Sequence, residues 1–226
     1  PFECVKTNII GAMNLVDACI DTGVKKVVAL STDKASNPIN LYGASKLASD
    51  KLFVAGNAYS GEVKTKFSVV RYGNVMGSRG SVIPLFYKLR NTGKVPITDI
   101  RMTRFMISLE EGVNLVWEAI EDMIGGEIYV KKIPSMKVID IAKTIAPDCM
   151  HKFIGIRPGE KLHEQMIGIE DAPYTFEYPD YFKILPQIND WDKDKERIKN
   201  GKKVNDDFFY SSNTNNEWMT KEELKY

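Results

Sequence analysis

The order of apolar runs and polar breaks predicts alternating helices and strands in the first part of the chain. Pro1 to Thr22 carries apolar residues at helical spacing, and Lys26 to Ser31 is a short, nearly continuous apolar run, typical of a strand buried on both faces. A second helix is predicted from Tyr42 to Tyr59, a second strand from Phe67 to Tyr72, and a third helix from about Val82 to Asn91. This alternation with short loops predicts an α/β fold with a parallel sheet and crossover helices.

The second part of the chain has a looser pattern. Helices are predicted around Leu109 to Asp122 and from Lys137 to Ile145, and strands at Glu127 to Val130 and His151 to Ile156. Beyond Gly168 the sequence is polar, aromatic and Pro-containing, which predicts mostly loops with a few short elements. We therefore expect a division near residue 93 into a sheet domain and a smaller α/β lobe.

Composition excludes several classes of protein. Of the 226 residues, 43% are hydrophobic and 27% are charged, as in ordinary globular proteins. The formal net charge is +1, so the chain has no strong electrostatic field that would favour binding to nucleic acid or a membrane surface. No apolar run is long enough for a transmembrane helix. Cys4, Cys19 and Cys149 are widely separated and the chain has two histidines, so neither a disulfide framework nor a metal site is predicted. We expect reduced thiols in a cytoplasmic protein.

The first chemical motif is a Tyr-x-x-x-Lys within the second predicted helix. Residues four apart share one helix face, so the phenol of Tyr42 and the ammonium of Lys46 lie close together. A nearby cation favours the phenolate, which makes the tyrosine a candidate general base. The same spacing also occurs by chance on surface helices, so the motif needs support from its neighbours.

That support comes from the end of the preceding predicted strand. Ser31, Thr32, Asp33 and Lys34 follow the apolar run, at the edge where open α/β sheets bind their ligands. Adjacent opposite charges are commonly a surface ion pair. Their position at a strand end, shortly before Tyr42, favours a catalytic role instead.

Together these residues resemble a known family. The stretch Ser31 to Ala35, then Asn37-Pro38, then Tyr42 to Lys46 is similar to the active-site region of the inverting UDP-N-acetylglucosamine 4,6-dehydratases, PseB-type members of the extended short-chain dehydrogenase/reductase superfamily. The similarity continues through most of residues 1 to about 168, in segments that start at Lys6, Arg71, Met102 and Arg157, and more loosely in the tail from Phe208 to Ser212.

The resemblance implies catalytic roles. Lys46 would hold the nicotinamide ribose, and Tyr42 would take the proton from the 4-hydroxyl of the sugar as hydride leaves carbon 4 for NADP. Lys34 would remove the hydrogen on carbon 5, Asp33 would protonate the departing 6-hydroxyl, and Thr32 would orient the carbonyl oxygen. Retaining relatives usually carry Glu beside the Asp, so a Lys at this position points to the inverting branch.

The resemblance also implies binding residues. The phosphates and ribose of a UDP-sugar substrate would contact a set of polar residues, Asn74, Thr98, Arg157 and Glu160. The cofactor would be contacted by Tyr42, Lys46, Thr7, Asn8 and a second set, Val75, Met76, Gly77, Ser78, Arg79 and Val82. Glycines in this loop let the backbone approach a ligand, although a plain strand-to-helix turn explains them equally. Family members are homo-oligomers, so we expect one here.

One family feature is absent from the sequence. No Gly-x-Gly-x-x-Gly occurs, whereas the family carries this phosphate-binding turn in its first strand-helix unit, roughly a hundred residues before the matching point. We therefore expect an N-terminally truncated chain. Residues 1–93 would form the C-terminal part of a Rossmann-like, doubly wound parallel sheet whose first strands are missing. Residues 94–226 would form the substrate-binding lobe and a tail that partly returns to the sheet domain.

The sequence thus predicts a lyase that dehydrates UDP-N-acetylglucosamine with NADP and inverts carbon 5, for surface glycan or pseudaminic acid biosynthesis. Two alternatives stay open. One is a UDP-sugar epimerase of the same superfamily, against which the Asp33-Lys34 pair argues, because a 4-epimerase eliminates nothing. The other is a non-catalytic fragment that acts only as an assembly module. In the family, the residue that distinguishes NADP from NAD lies in the second strand of the complete sheet, a segment that this sequence does not include.

Overall fold

The computed structural model describes residues 1–187 and 195–224, which divide into two compact units. Unit 1 is built from Pro1–Tyr72, Val113–Lys132 and Gln165–Phe209, and unit 2 from Gly73–Gly112, Ile133–Glu164 and Tyr210–Tyr226. The sequence-based division at residue 93 stays a prediction. Two segments of the predicted lobe (94–226), residues 188–194 and 225–226, lie outside the described residues.

Helices and strands follow the chain in the order that the first part of the sequence predicts. Helices α1 to α6 span Phe2–Val5, Gly11–Asp21, Leu41–Tyr59, Val82–Leu89, Leu109–Asp122 and Val138–Ile145, and a π-helical turn, Lys6–Ile10, joins α1 to α2. Strands β1 to β13 span Lys26–Thr32, Lys66–Tyr72, Asn74–Val75, Lys94–Ile97, Thr103–Ile107, Ile128–Lys131, Ser135–Lys137, Met150–Phe153, Gln165–Ile167, Thr175–Glu177, Tyr181–Ile184, Lys202–Lys203 and Tyr210–Ser211. None of the helices in the described parts of the chain is long and apolar enough to cross a membrane.

Unit 1 is organised around a six-stranded sheet in the order β1-β2-β6-β11-β10-β12. Strands β1, β2 and β6 run parallel, and β11, β10 and β12 continue the sheet antiparallel. Helix α3 is the crossover between β1 and β2, and α5 precedes β6. Val70 of β2 packs with Leu115, Ala119 and Tyr129 in a buried cluster on one face of this sheet. The predicted α/β class with a parallel sheet is confirmed.

In this chain β1 is only partly buried, and burial of the strand on both faces stays a prediction. β1 stands at one edge of the six-stranded sheet, and Leu30 is 52% exposed. Strand β2 has the burial expected of such a run, with Phe67, Val69 and Val70 fully buried. An apolar β-branched run predicts a strand, but its place in the sheet depends on which neighbours pair with it.

Unit 2 contains two small sheets, β3-β5-β7 and β4-β8. A hydrophobic core cluster of this unit is built around Ile97, Met102, Met106 and Ile141, all of which are 2% exposed or less. Strands β4 and β5 were not predicted. Every residue of β5 is buried, including the polar residues Thr103 and Arg104. These two residues interrupt the apolar pattern, so the sequence did not predict a core strand here.

A buried ion pair ties the segment after residue 194 to the sheet of unit 1. The carboxylate of Glu127, fully buried before β6, pairs with the guanidinium of Arg197 and accepts a hydrogen bond from Ser68 Oγ at 2.7 Å. Arg197 Nη1 also donates to the carbonyl of Gly125 at 2.6 Å. Each charge is desolvated, so the arrangement is stable only when both partners are present.

We predict that Arg197→Met destabilises the protein by about 3 kcal/mol, because it leaves the carboxylate of Glu127 buried without its counter-charge. Urea unfolding of the variant measures the loss. The matched control is Lys199→Met, since Lys199 pairs with Glu196 on the surface, where both side chains are more than half exposed. The control should change stability by less than about 0.5 kcal/mol. Equal effects of the two substitutions would contradict this assignment.

Candidate active site

The end of β1 turns sharply into a single 3₁₀ turn, Asp33–Ala35, which carries the predicted acid and base. Thr32 begins the turn: its Oγ1 accepts a hydrogen bond from the backbone N–H of Lys34 at 3.3 Å and donates to Asp33 Oδ1 at 2.8 Å. Hydroxyl caps of this kind satisfy an N–H that would otherwise lack a partner. The hydroxyl of Thr32 therefore holds the Asp33 carboxyl in place.

Asp33 and Lys34 form a close pair at this turn. Lys34 Nζ lies 3.0 Å from Asp33 Oδ1, and the two side chains are 33% and 1% exposed. The other carboxyl oxygen, Asp33 Oδ2, is buried and has no hydrogen-bond partner among the described residues. A buried polar atom without a partner is costly, which marks Oδ2 as an atom that a ligand or a proton would satisfy.

Tyr42 and Lys46 lie in the first turns of α3, on one face. Asn40 caps this helix by accepting a hydrogen bond from the N–H of Gly43 at 2.8 Å. Tyr42 is 47% exposed, and Lys46 Nζ donates to the carbonyl of Leu30 on β1 at 2.7 Å. Burial and the neighbouring Tyr42 raise the pKa of Tyr72, the last residue of β2. The predicted catalytic side chains thus all lie in unit 1.

The helix approaches the 3₁₀ turn very closely at Gly43. A Cβ added there would lie 2.3 Å from the carbonyl oxygen of Lys34 and 3.0 Å from Cβ of Pro38. Only a residue without a side chain lets α3 rest on the turn that carries Asp33 and Lys34.

The predicted cofactor residues near the N-terminus differ in their surroundings. Asn8 lies in the π-helical turn, and its Nδ2 donates a hydrogen bond to Ser45 Oγ at 2.9 Å. The Ser45 hydroxyl in turn donates to the carbonyl of Tyr42 at 2.9 Å. Thr7 is exposed. Asn8 therefore supports the first turn of the catalytic helix, whichever ligand it also contacts.

The sequence analysis did not single out Asp50, a buried residue of the helix that carries Tyr42 and Lys46. Asp50 of α3 accepts hydrogen bonds from Ser31 Oγ at 2.7 Å and from Arg71 Nη2 at 3.3 Å, and all three residues are buried. Burial raises the pKa of Asp50, while Arg71, Ser31 and Lys46 act in the opposite direction. The spacing Tyr42, Lys46, Asp50, which keeps to one helix face, was the available signal.

The predicted glycine-rich loop opens unit 2. Gly73 lies against β5, since a Cβ there would come within 2.8 Å of the carbonyl oxygen of Phe105. Asn74 and Val75 then pair with β5, while Gly77 and Gly80 have φ values of 71° and 78°. Met76 is half-buried, whereas Ser78 and Arg79 are exposed.

Helix α4 begins at Val82, directly after this loop. Asn74 Oδ1 and Ser81 Oγ are buried without a hydrogen-bond partner in the part of the chain that the structure describes. These two orphaned oxygens border the loop predicted to bind the cofactor and the sugar nucleotide.

The other predicted substrate residues also lie in unit 2. Arg157 Nη2 donates to Glu160 Oε1 at 3.1 Å, and Nε donates to Oε2 at 3.2 Å. Partial burial raises the pKa of Glu160, but the hydrogen bonds from Arg157 outweigh it, so the net pKa is below its ordinary value. Thr98 is half-buried next to Asp99, whose pKa is lowered to about 2 by the Arg101 side chain.

A further cluster in unit 2 was not predicted. Thr103 Oγ1 lies 2.8 Å from His163 Nδ1 and 2.7 Å from Ser212 Oγ. Burial lowers the pKa of His163, and the nearby Arg104 and Arg101 lower it further. No sequence signal connects these three residues, because they come from distant segments.

The donor set fits a nicotinamide nucleotide and a sugar substrate. Unit 1 carries an exposed phenol, an ammonium and the unsatisfied Asp33 Oδ2, and unit 2 carries a loop with two unsatisfied oxygens and backbone at positive φ. No three metal-ligating side chains cluster within residues 1–187 and 195–224. The parallel sheet and the Tyr-x-x-x-Lys helix at the end of β1 together define a protein of the short-chain dehydrogenase/reductase class.

Comparison with known proteins agrees with this class. The profile of the polysaccharide biosynthesis protein family matches residues 1–186. The UDP-N-acetylglucosamine 4,6-dehydratase (inverting) of Campylobacter jejuni subsp. jejuni serotype O:2 is 57% identical over 99% of this chain and 69% of its own length. The chain belongs to the polysaccharide biosynthesis protein family and, within it, to the inverting 4,6-dehydratases of the extended short-chain dehydrogenase/reductase superfamily. The resemblance inferred from the motifs, and the enzyme class it implies, are confirmed.

Solved structures confirm the fold. Pen from Bacillus thuringiensis matches 99% of this chain and 68% of its own with a TM-score of 0.88 and 37% identity. The dTDP-glucose 4,6-dehydratase of Bacillus anthracis, solved in complex with NAD, matches 69% of this chain and 57% of its own with a TM-score of 0.60 and 18% identity. The Rossmann-like assignment is therefore confirmed.

We predict that Gly43→Ala destabilises the protein by about 1–3 kcal/mol, because the new methyl group must push α3 away from the Lys34 carbonyl. Thermal unfolding and urea titration measure the effect. Gly112→Ala, in α5, is the matched control, since a Cβ there meets nothing within 4 Å. The control should be neutral or slightly stabilising, as alanine favours helix. A neutral Gly43→Ala would show that the helix does not need this close approach.

Proposed function

We propose that the protein catalyses the NADP-dependent 4,6-dehydration of UDP-N-acetylglucosamine with inversion at carbon 5. The product, a UDP-4-keto-6-deoxy sugar, would serve surface glycan or pseudaminic acid biosynthesis in the cytoplasm, and the enzyme would be a homo-oligomer. The observation that carries the proposal is the Asp33-Lys34 pair at the end of β1, beside the helix that bears Tyr42 and Lys46. The 57% identity to a relative that is named for this reaction supports it.

Oxidation at carbon 4 needs a base and a hydride acceptor. A bound nicotinamide cofactor would supply the hydride acceptor for carbon 4 and the hydride donor for carbon 6. Tyr42 would take the proton of the 4-hydroxyl, for which its exposed phenol is accessible. Lys46 would hold the cofactor ribose.

Elimination of water across carbons 5 and 6 needs a second base and an acid. The new ketone at carbon 4 acidifies the hydrogen on carbon 5, which Lys34 would remove. Asp33 would protonate the 6-hydroxyl, which leaves as water when the carbon 6–oxygen bond breaks. Because Asp33 Oδ1 already accepts from Thr32 and Lys34, the proton would reside on the unsatisfied Oδ2.

Completion of the reaction sets the stereochemistry. Once hydride was back on carbon 6, a solvent-derived proton would add to carbon 5 from the face opposite to the one from which Lys34 removed it. Thr32, held against Asp33, would stay within reach of the carbonyl oxygen.

Substrate and cofactor recognition would involve unit 2 as well. Asn74 with its unsatisfied Oδ1 would contact the sugar-nucleotide phosphates, and Arg157 offers a guanidinium fork suited to phosphate oxygens. Thr98 and Glu160 would contact the nucleotide ribose. The cofactor contacts proposed are the backbone from Val75 to Arg79, Val82, Thr7 and Asn8.

A UDP-sugar epimerase is the alternative enzyme. It would use Tyr42 and Lys46 in the same way but would neither release water nor need an acid at Asp33. A non-catalytic module would bind no NADP. Incubation of the full-length protein with NADP and UDP-N-acetylglucosamine, followed by mass spectrometry, separates the three: dehydration lowers the product mass by one water, and epimerisation leaves it unchanged.

We predict that Tyr42→Phe lowers kcat by about two to four orders of magnitude, the usual cost of losing a general base. Steady-state assays of the full-length protein measure this loss. Tyr59→Phe is the matched control, as Tyr59 ends the same helix and is 79% exposed. Turnover of Tyr42→Phe close to that of the control would remove Tyr42 from the mechanism.

We predict that Lys34→Ala blocks proton removal at carbon 5 while oxidation at carbon 4 persists. In deuterated water the unaltered enzyme should place deuterium at carbon 5 and invert that centre, as measured by NMR and mass spectrometry. The variant should do neither, although reduced cofactor should still appear at 340 nm, the usual wavelength for a reduced nicotinamide. Lys25→Ala, an exposed lysine before β1, serves as the control. Exchange at the wild-type rate in Lys34→Ala would exclude Lys34 as the base and favour the epimerase.

A further inference from the structure

Asp50 is a buried carboxylate on the same face of α3 as Tyr42 and Lys46. The three residues follow one another at intervals of four, so Asp50 lies about 12 Å along the helix from Tyr42 at ~1.5 Å per residue. Its side chain is 2% exposed, like that of its partner Arg71. Its hydrogen bonds come from Ser31 and Arg71, and the Lys46 ammonium interacts with it electrostatically.

Two contacts join this face of α3 to consecutive residues of β1. Lys46 Nζ donates to the carbonyl of Leu30 at 2.7 Å, and Ser31 Oγ donates to Asp50 Oδ2 at 2.7 Å. Thr32 and the turn with Asp33 follow immediately. The helix that bears the Tyr42 base is therefore fastened to the strand just before the acid-base pair.

A third contact comes from β2. Ser31 and Arg71 are register partners on the parallel strands β1 and β2, so their side chains lie side by side facing α3. Arg71 Nη2 donates to Asp50 Oδ2 at 3.3 Å, and Nη1 donates to the carbonyl of Met166 at 2.8 Å. Asp171 Oδ2 lies 3.8 Å from the same nitrogen. One carboxylate thus links the helix to two strands at once.

Such a buried pair defines geometry more than it adds stability. Apolar residues of equal volume often stabilise a core as well as a buried ion pair does, but only the polar arrangement requires one relative position of its partners. Here the partners are α3, the end of β1 and the end of β2. A shift of the helix along its axis would break the bond to Ser31 and move Tyr42 by the same distance.

We propose that Asp50, held by Ser31 and Arg71, is a positioning residue that sets Tyr42 and Lys46 in register with the Asp33-Lys34 pair. The catalytic consequence rests on the function proposed above. The mechanical consequence, that the first turns of α3 are held on the end of β1, does not depend on which reaction the protein catalyses.

The first test compares two buried carboxylates by hydrogen–deuterium exchange of the full-length protein without ligands. Asp50→Asn removes the charge at nearly constant shape. Glu127→Gln is its matched control, since Glu127 also accepts from a serine, Ser68, and pairs with a buried arginine, Arg197, but at the opposite end of β2. Asp50→Asn should speed amide exchange in peptides that cover residues 30–36 and 41–48. Glu127→Gln should not speed exchange in these peptides, even if it lowers Tm by a similar amount.

The second test measures catalysis with substrate deuterated at carbon 4. A misplaced base slows the oxidation step, so Asp50→Asn should lower kcat by about ten- to a hundredfold and raise the primary isotope effect on kcat. The KM for the UDP-sugar should stay within about twofold, because no substrate contact is lost. Glu127→Gln should leave the isotope effect unchanged. Ser31→Ala, which keeps the Asp50–Arg71 pair, should give a smaller change in the same direction and replaces Asp50→Asn if that variant does not fold.

These outcomes separate the two proposals. If Asp50→Asn and Glu127→Gln give the same exchange pattern and the same isotope effect, Asp50 only stabilises the fold and the positioning role is wrong. If the wild type does not dehydrate the substrate, the proposed function fails, while the exchange experiment still decides whether Asp50 holds α3 on β1.

Discussion

Helix α3 can rest on the end of β1 only because Gly43 has no side chain. The carbonyl of Lys34 occupies the space where a Cβ would lie, at 2.3 Å, so the helix and the acid-base turn are in direct backbone contact. Two turns further along, Asp50 fastens the same helix to both strands. Everything that the site can do follows from this docking, because the phenol is on the helix and the carboxyl is on the turn.

The two oxygens of Asp33 are unequal. Oδ1 accepts two hydrogen bonds, from Thr32 and Lys34, whereas Oδ2 is buried without a partner among the described residues. A buried oxygen without a partner is costly, so Oδ2 is the carboxyl oxygen of Asp33 that remains available to a ligand.

The polar residues singled out in unit 2 differ in their partners. Arg157 and Glu160 hydrogen-bond to each other, which lowers the pKa of Glu160. Asn74 and Ser81 instead keep buried oxygens without partners in the described chain, at the loop where the backbone turns through positive φ.

Local pattern by itself determined the element order of the first part of the chain, the parallel sheet and the catalytic motif. Helix spacing is enough to put Tyr42 and Lys46 on one face, because that relation depends on the helix alone. What only the tertiary structure decided are relations between distant segments. Among these are the burial of strand β5, despite its polar residues Thr103 and Arg104, and the partners of Asp50, since pairing and desolvation depend on neighbours that no short window of sequence contains.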